Sequence, residues 1–209
     1  MKKKYLVAAT GLALLGLSLS ACSSNSSSNK GNSEKTTQQS KKKNEVISQN
    51  KELREKFDQI KVGNFLSQGE GGSTTDEVKQ LLGNPTSSTT TSSNGVKVKQ
   101  LTWTKGAVTV AIQTLDSNKV VSKEITGFKW GKRDEKITLG EFNNIADGST
   151  YQDIVNKYGE PDGLHEANVA GTKITNAVWL TGIKGDDGAS ATLSFENDKL
   201  TTKSQTKLK

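Results

Sequence analysis

A fourteen-residue segment, GSTTDEVKQLLGNP at 72–85, returns as GSTYQDIVNKYGEP at 148–161. Gly72, Ser73, Thr74, Glu77, Val78, Leu82, Gly83 and Pro85 fall on Gly148, Ser149, Thr150, Asp153, Ile154, Tyr158, Gly159 and Pro161 at a constant offset of 76, which also carries Trp103 onto Trp179. Such self-similarity constrains the fold strongly, because one local grammar has to be satisfied twice. Upstream, Phe57-x-x-Ile60-x-x-Gly63 matches Phe142-x-x-Ile145-x-x-Gly148, the first copy holding nine extra residues around Asn64 to Gly71. Downstream, Asn118-Lys119-Val120 matches Asp198-Lys199-Leu200 at offset 80, so the second copy has four more residues between tryptophan and turn.

Each copy reads the same way. Leu53, Phe57 and Ile60 occupy one helical face. In the quoted segment Thr74 and Glu77 have capping-box spacing, and Ser149 and Gln152 can do the same in the second copy. Gly83 and Gly159 stand where a helix C-cap belongs, with proline two residues on. Strands are predicted over 96–105, 107–115 and 120–129, and again over 173–181, 189–196 and 200–208, from β-branched and alternating residues. The expected fold class is α+β by tandem duplication, each repeat two helices packed on an antiparallel sheet of about four strands. Repeat 1 is placed at 51–130 and repeat 2 at 131–209.

The front of the chain is of another kind. Lys2 to Lys4 precede the apolar run Tyr5 to Leu19, which falls short of the ~20 residues a bilayer span needs. It has the layout of a secretory signal. Leu19-Ser20-Ala21-Cys22 resembles the lipobox of bacterial lipoproteins. That resemblance implies a signal peptide at 1–21, cleavage between Ala21 and Cys22, and diacylglycerol and palmitate on the Cys22 sulfur and amine. The expected location is the extracytoplasmic face of the cell membrane, with membrane lipid as partner. From residue 22 to 50 the polar sequence cannot bury a core and reads as a disordered tether.

The net charge of +7 at first suggests a nucleic-acid partner. The surplus is confined to the leader and tether, however, leaving 21 basic and 20 acidic residues from Lys51 onward. A nearly neutral folded part in this compartment excludes nucleic acid as a partner.

The copied motifs resemble those of the β-lactamase-inhibitor-protein-like lipoproteins of Gram-positive bacteria, over about residues 51–208. They are the F-x-x-I-x-x-G lead, the G-S-T-x-x-[ED]-[VI]-x-x-x-[LY]-G-x-P segment and the strand tryptophan. A single copy also resembles lipoproteins of the BamE/SmpA type. The resemblance implies a non-catalytic protein-binding module, inhibitor-like in one version. A structural or assembly role in the envelope, or a small-ligand-binding lipoprotein, are the alternatives.

Chemistry finds little footing. Neither copy carries the Gly-Lys-Ser/Thr of a phosphate loop. His165 is the sole histidine, expected on an exposed or edge strand, and Cys22 is the sole cysteine. Asp186-Asp187 reads as a solvated turn, so no metal, cofactor or catalytic residue is expected. The candidate protein-binding residues are Trp103, Trp179 and Trp130. Val98, Ile174, Val178 and Leu180 share a strand parity that suggests they meet the helices, which sends Trp103 and Trp179 to the outer sheet face, where aromatics make binding hot spots. Burial of both indoles, by a strand bulge or by the other repeat, is the alternative.

Overall fold

The structure is a computed structural model that describes residues 50–93 and 95–209. The expected signal peptide, Ala21–Cys22 cleavage point, Cys22 lipid site and tether up to residue 49 lie outside the described residues. Among the described residues no helix is long and apolar enough to cross a membrane.

Helix α1 occupies residues 50–58 and is followed by a 3-10 turn, Phe65–Ser67. Next come α2 (Thr75–Leu82), β1 (Ser87–Ser93), β2 (Val96–Lys105), β3 (Val108–Thr114) and β4 (Val120–Thr126). The second half contributes α3 (Leu139–Asn143), α4 (Tyr151–Tyr158), β5 (Gly163–Val169), β6 (Thr172–Trp179), β7 (Gly185–Glu196) and β8 (Lys199–Leu208). Capping explains where the short helices start. Thr74 Oγ1 accepts from Glu77 N at 3.2 Å while the Glu77 carboxylate accepts from Thr74 N at 2.7 Å, the reciprocal box expected from the sequence. In the second half the cap is Thr150, which accepts from Asp153 N at 3.0 Å. Ser149, expected in that role, donates instead to Ala146 O at 2.7 Å. Gly83 and Gly159 end α2 and α4 with φ of 81° and 85°, where any side chain would be strained.

The expected pair of four-stranded units, each with its own two helices, does not form. All eight strands make one antiparallel sheet in the order β1-β2-β3-β4-β5-β6-β7-β8. The join is β4 with β5, where Ser122, Lys123, Glu124 and Ile125 lie opposite Ala167, Glu166, His165 and Leu164. Two separate sheets would expose four edges of unpaired N–H and C=O groups, and joining them removes two. Side chains from all four helices and from both halves of the sheet then share one core. Leu53, Phe57, Val78, Phe142, Ile154 and Tyr158 pack over Leu101, Val110, Ile125, Ala177, Leu193 and Phe195.

Two lysines fasten the lead helices to the sheet. Lys203 Nζ donates to the carbonyls of Phe142, Asn143 and Ile145 at the end of α3, over the Phe142 ring. Lys123, at the matching place, reaches Phe57 O at 3.3 Å, sits over the Phe57 ring and pairs with Glu166 at 2.9 Å. A cation suits the negative end of a helix. The nine-residue insertion loops out without disturbing this frame. Gly63 N donates to Val120 O and Gly148 N to Leu200 O, so the chain returns to equivalent points in both halves.

Candidate functional site

Because strand side chains alternate, the core fixes which residues face the other way. In β2 Leu101 and Trp103 are buried; across the register their partners Ile112 and Val110 are buried too. In β6 the buried positions are Thr175, Ala177 and Trp179. Val98, Ile174, Val178 and Leu180 therefore stand on the face without helices, the reverse of the expected parity. The reason is size. Both faces of a strand accept β-branched residues, whereas only the helix-backed face has the depth to enclose an indole.

Trp103 and Trp179 accordingly do not stand on the open sheet face. Trp103 is 5% exposed and Trp179 0%. Each indole N–H donates to the C-cap carbonyl of the short helix before it, Trp103 Nε1 to Gly83 O and Trp179 Nε1 to Gly159 O, both at 2.9 Å. The paired tryptophans thus hold the ends of α2 and α4 against the sheet. The signal was in the sequence, since tryptophan and Gly-x-Pro share one offset, but it meant packing.

Trp130 sits half-buried at the connection between the halves. Its indole N–H donates to Pro161 O at 2.9 Å and its ring meets Phe128 edge-on at 4.9 Å. The Arg54 guanidinium lies 5.4 Å from the Trp130 ring and 5.7 Å from Phe128, while Nη1 donates to Pro161 O at 2.7 Å. Nothing in the motifs marked Arg54, which is wholly buried and links α1 to the second half. Asp162 beneath it is wholly buried as well. Its carboxylate accepts from Trp130 N, Leu180 N, Thr181 N, Thr181 Oγ1 and Arg133 Nη2, at 2.7 to 3.2 Å. Burial pulls the Arg133 pKa below its usual value, and the Asp162 charge opposes that shift. This is a structural clamp between the halves.

What remains free is the other side of the sheet. Among the described residues none of the α-helices packs on it; serine, threonine, asparagine, glutamine and small apolar residues line most of it, with His165 and the carboxylates Glu124 and Glu196 among them. Its middle is nonetheless partly enclosed, with Ser122 7% and Ala167 9% exposed. At that centre is His165, so the expected edge or exposed position is not where it lies. His165 Nε2 is 3.1 Å from Ser122 Oγ, and Nδ1 is 3.3 Å from Asn176 Nδ2. The neutral ring protonated on Nε2 satisfies both contacts, donating to the hydroxyl and accepting from the amide. In that tautomer Nε2 cannot take a proton from Ser122, as a nucleophile's base must.

Burial is the largest influence on His165 and depresses its pKa below the usual 6.5, against the charges of Glu124 and Glu166. The sign of the consequence follows directly. The unfolded chain gains a proton near pH 6.5 that the folded protein resists, so stability present above that pH is lost as pH falls through the depressed folded value. Urea midpoints of wild type should therefore drop, relative to a His165→Gln variant, between about pH 7 and about pH 5. Parallel lines for the two proteins would show that His165 titrates alike in both states.

A helix-backed single sheet with one helix-free, mostly uncharged face is the class that this geometry defines. A family model described as a domain of unknown function with solved-structure structure (DUF3862) matches residues 49–208, and the chain belongs to that family. Among solved structures, a Streptococcus mutans protein described as a "putative beta-lactamase inhibitor protein" is 30% identical, with a TM-score of 0.68, covering 76% of this chain and 97% of that one. No curated protein matches. The similarity loosely supports the likeness to the β-lactamase-inhibitor-protein group, and neither the family match nor this structure bears on the BamE/SmpA-type likeness.

Proposed function

We propose that this is an extracytoplasmic lipoprotein, held to the cell membrane through acylated Cys22, that binds another protein on its helix-free sheet face without catalysing a reaction. The observation that carries this reading is the segregation of the molecule. The α-helices, the tryptophans and the buried ionic clamp all lie on one side or within the core. The opposite side presents a broad run of small, mostly uncharged, partly enclosed side chains, with Glu124 and Glu196 its carboxylates. Such a face is pre-ordered by the strand ladder, so a partner that fits it meets little cost of ordering side chains on binding. The S. mutans relative's description as an inhibitor protein favours a protein partner, and a serine β-lactamase is the specific target to test first.

The face is tested by substitutions that leave the core alone. Val178 is half-buried on the open side, and Val178→Arg places a long cation there. With a photo-crosslinking residue at Gln100, wild-type protein on intact cells should yield a discrete crosslinked protein, and Val178→Arg should reduce its yield at least about tenfold. Purified protein is assayed beside it for binding and inhibition of serine β-lactamases, which decides whether the target is of that class. Equal crosslinking by wild type and Val178→Arg would place the partner elsewhere.

A further inference from the structure

The sheet has two outer strands, and they are built differently. β8 is irregular, with register shifts against β7 between Gly185 and Ser190 and between Ser194 and Phe195. It also holds Lys207 at φ 53°, and its lysines 199, 203 and 207 interrupt the edge. These are devices that keep an edge from accepting another strand. β1 has none of them. Its sequence is Ser-Ser-Thr-Thr-Thr-Ser-Ser, without lysine or proline, and it pairs with β2 at seven consecutive positions without a shift. Residues 87–92 are exposed, and among the described residues no side-chain hydrogen bond occupies them. One row of β1 backbone donors and acceptors therefore has no strand partner among the described residues.

The order of the residues singles out the occupant. SSTTTSS reads the same in both directions, centred on Thr90. In an antiparallel pair of two β1 strands about a two-fold axis at Thr90, Thr90 meets Thr90, Thr89 meets Thr91, Ser88 meets Ser92 and Ser87 meets Ser93. Every cross-strand pair is thus hydroxyl with hydroxyl, and no like charges oppose, which is the self-complementarity an isologous contact requires. The axis stands perpendicular to the sheet. Both open faces then look the same way, and α1 of both copies, at the start of the described chain, lies on the opposite side. Two chains anchored through their N-termini to one membrane can satisfy that arrangement.

We infer that β1 is a self-association edge through which a second copy of this chain continues the sheet. A contact of seven residues on each side is small, so the pair is weak in dilute solution and is populated where anchoring concentrates the chains. The pairing stands whether or not the open face binds a protein.

Register-specific trapping decides it. The full chain is purified with Cys22→Ser, so that an added cysteine is the only thiol, and is held at about 1 mM, the range that tethering supplies. Thr90→Cys should form disulfide dimers at least about tenfold faster than Leu66→Cys, an exposed position away from the edge, because directly opposed Cβ atoms are close enough to bridge. A mixture of differently tagged Thr89→Cys and Thr91→Cys chains should give mixed dimers faster than either alone. Hydrogen exchange of the β1 amides should slow as concentration rises from about 10 µM to about 1 mM. Equal trapping of Thr90→Cys and Leu66→Cys overturns the inference, and so does a mixture no faster than its components. Exchange of the β1 amides that does not change with concentration also overturns it.

Discussion

Asp162→Ala should lower the folding free energy by about 3–5 kcal/mol, the range found when one partner of a buried ion pair is removed. The carboxylate is wholly buried and takes the backbone N–H groups of Trp130, Leu180 and Thr181 as well as the Thr181 hydroxyl. Alanine leaves those donors without an acceptor and removes the nearest counter-charge of the Arg133 guanidinium, 3.2 Å away. Asp162→Asn keeps one carbonyl oxygen and should cost less, about 1–3 kcal/mol, because one of its amide N–H groups must then face a backbone donor. Urea denaturation of the three proteins measures both values. A loss below about 1 kcal/mol for alanine, the level of a surface ion pair, would mean that the clamp is not an energetic link between the halves.

Trp179→Ala is expected to cost about 3–5 kcal/mol, the usual range for an enclosed aromatic cut to alanine. The indole is 0% exposed and donates to Gly159 O, so the variant leaves both a cavity and an unpaired helix-end carbonyl. Trp179→Phe keeps most of the ring's packing and loses the N–H, which should cost about 1–2 kcal/mol. Trp103, bonded to Gly83 O in the same way, should behave alike. The contrast with a hot-spot role is sharp. An interface tryptophan changes binding and leaves stability nearly intact, whereas here crosslinking to a partner should be unchanged once the folded fraction is equalised. A stable Trp179→Ala protein that fails to bind would restore the indole to the interface.

Both predictions turn on residues whose positions the sequence disclosed unequally. The helices, six of the eight strands, the Thr74 cap, the Gly83 and Gly159 stops and the insertion after Gly63 were legible, because each depends on a few neighbouring residues; β1 and β5 had no predicted range. The side of the sheet on which the tryptophans lie was not. Alternation says that Trp103 and Val98 point to opposite faces, but it does not say which face the helices cover. Asp162 was silent for a related reason. Its counterpart by offset is Thr86, so the duplication marked nothing there, and its five donors come from two separate segments, 130–133 and 180–181. His165 could be picked out as the only histidine, yet its partners Ser122 and Asn176 meet it only through two strand registers.

The sequence by itself determined the local grammar twice over: where helices start and stop, where strands run, and which apolar residues form a stripe. Caps, turns and periodicity act within a few residues, so they can be read from a linear string. Only the tertiary structure decided that the two halves share one sheet and one core. The pairing of β4 with β5 is a contact across roughly forty residues, fixed by the gain of closing two exposed edges together with the Arg54 and Asp162 links. That same decision turned Trp103 and Trp179 inward, and it left the helix-free face and the β1 edge as the surfaces available to partners.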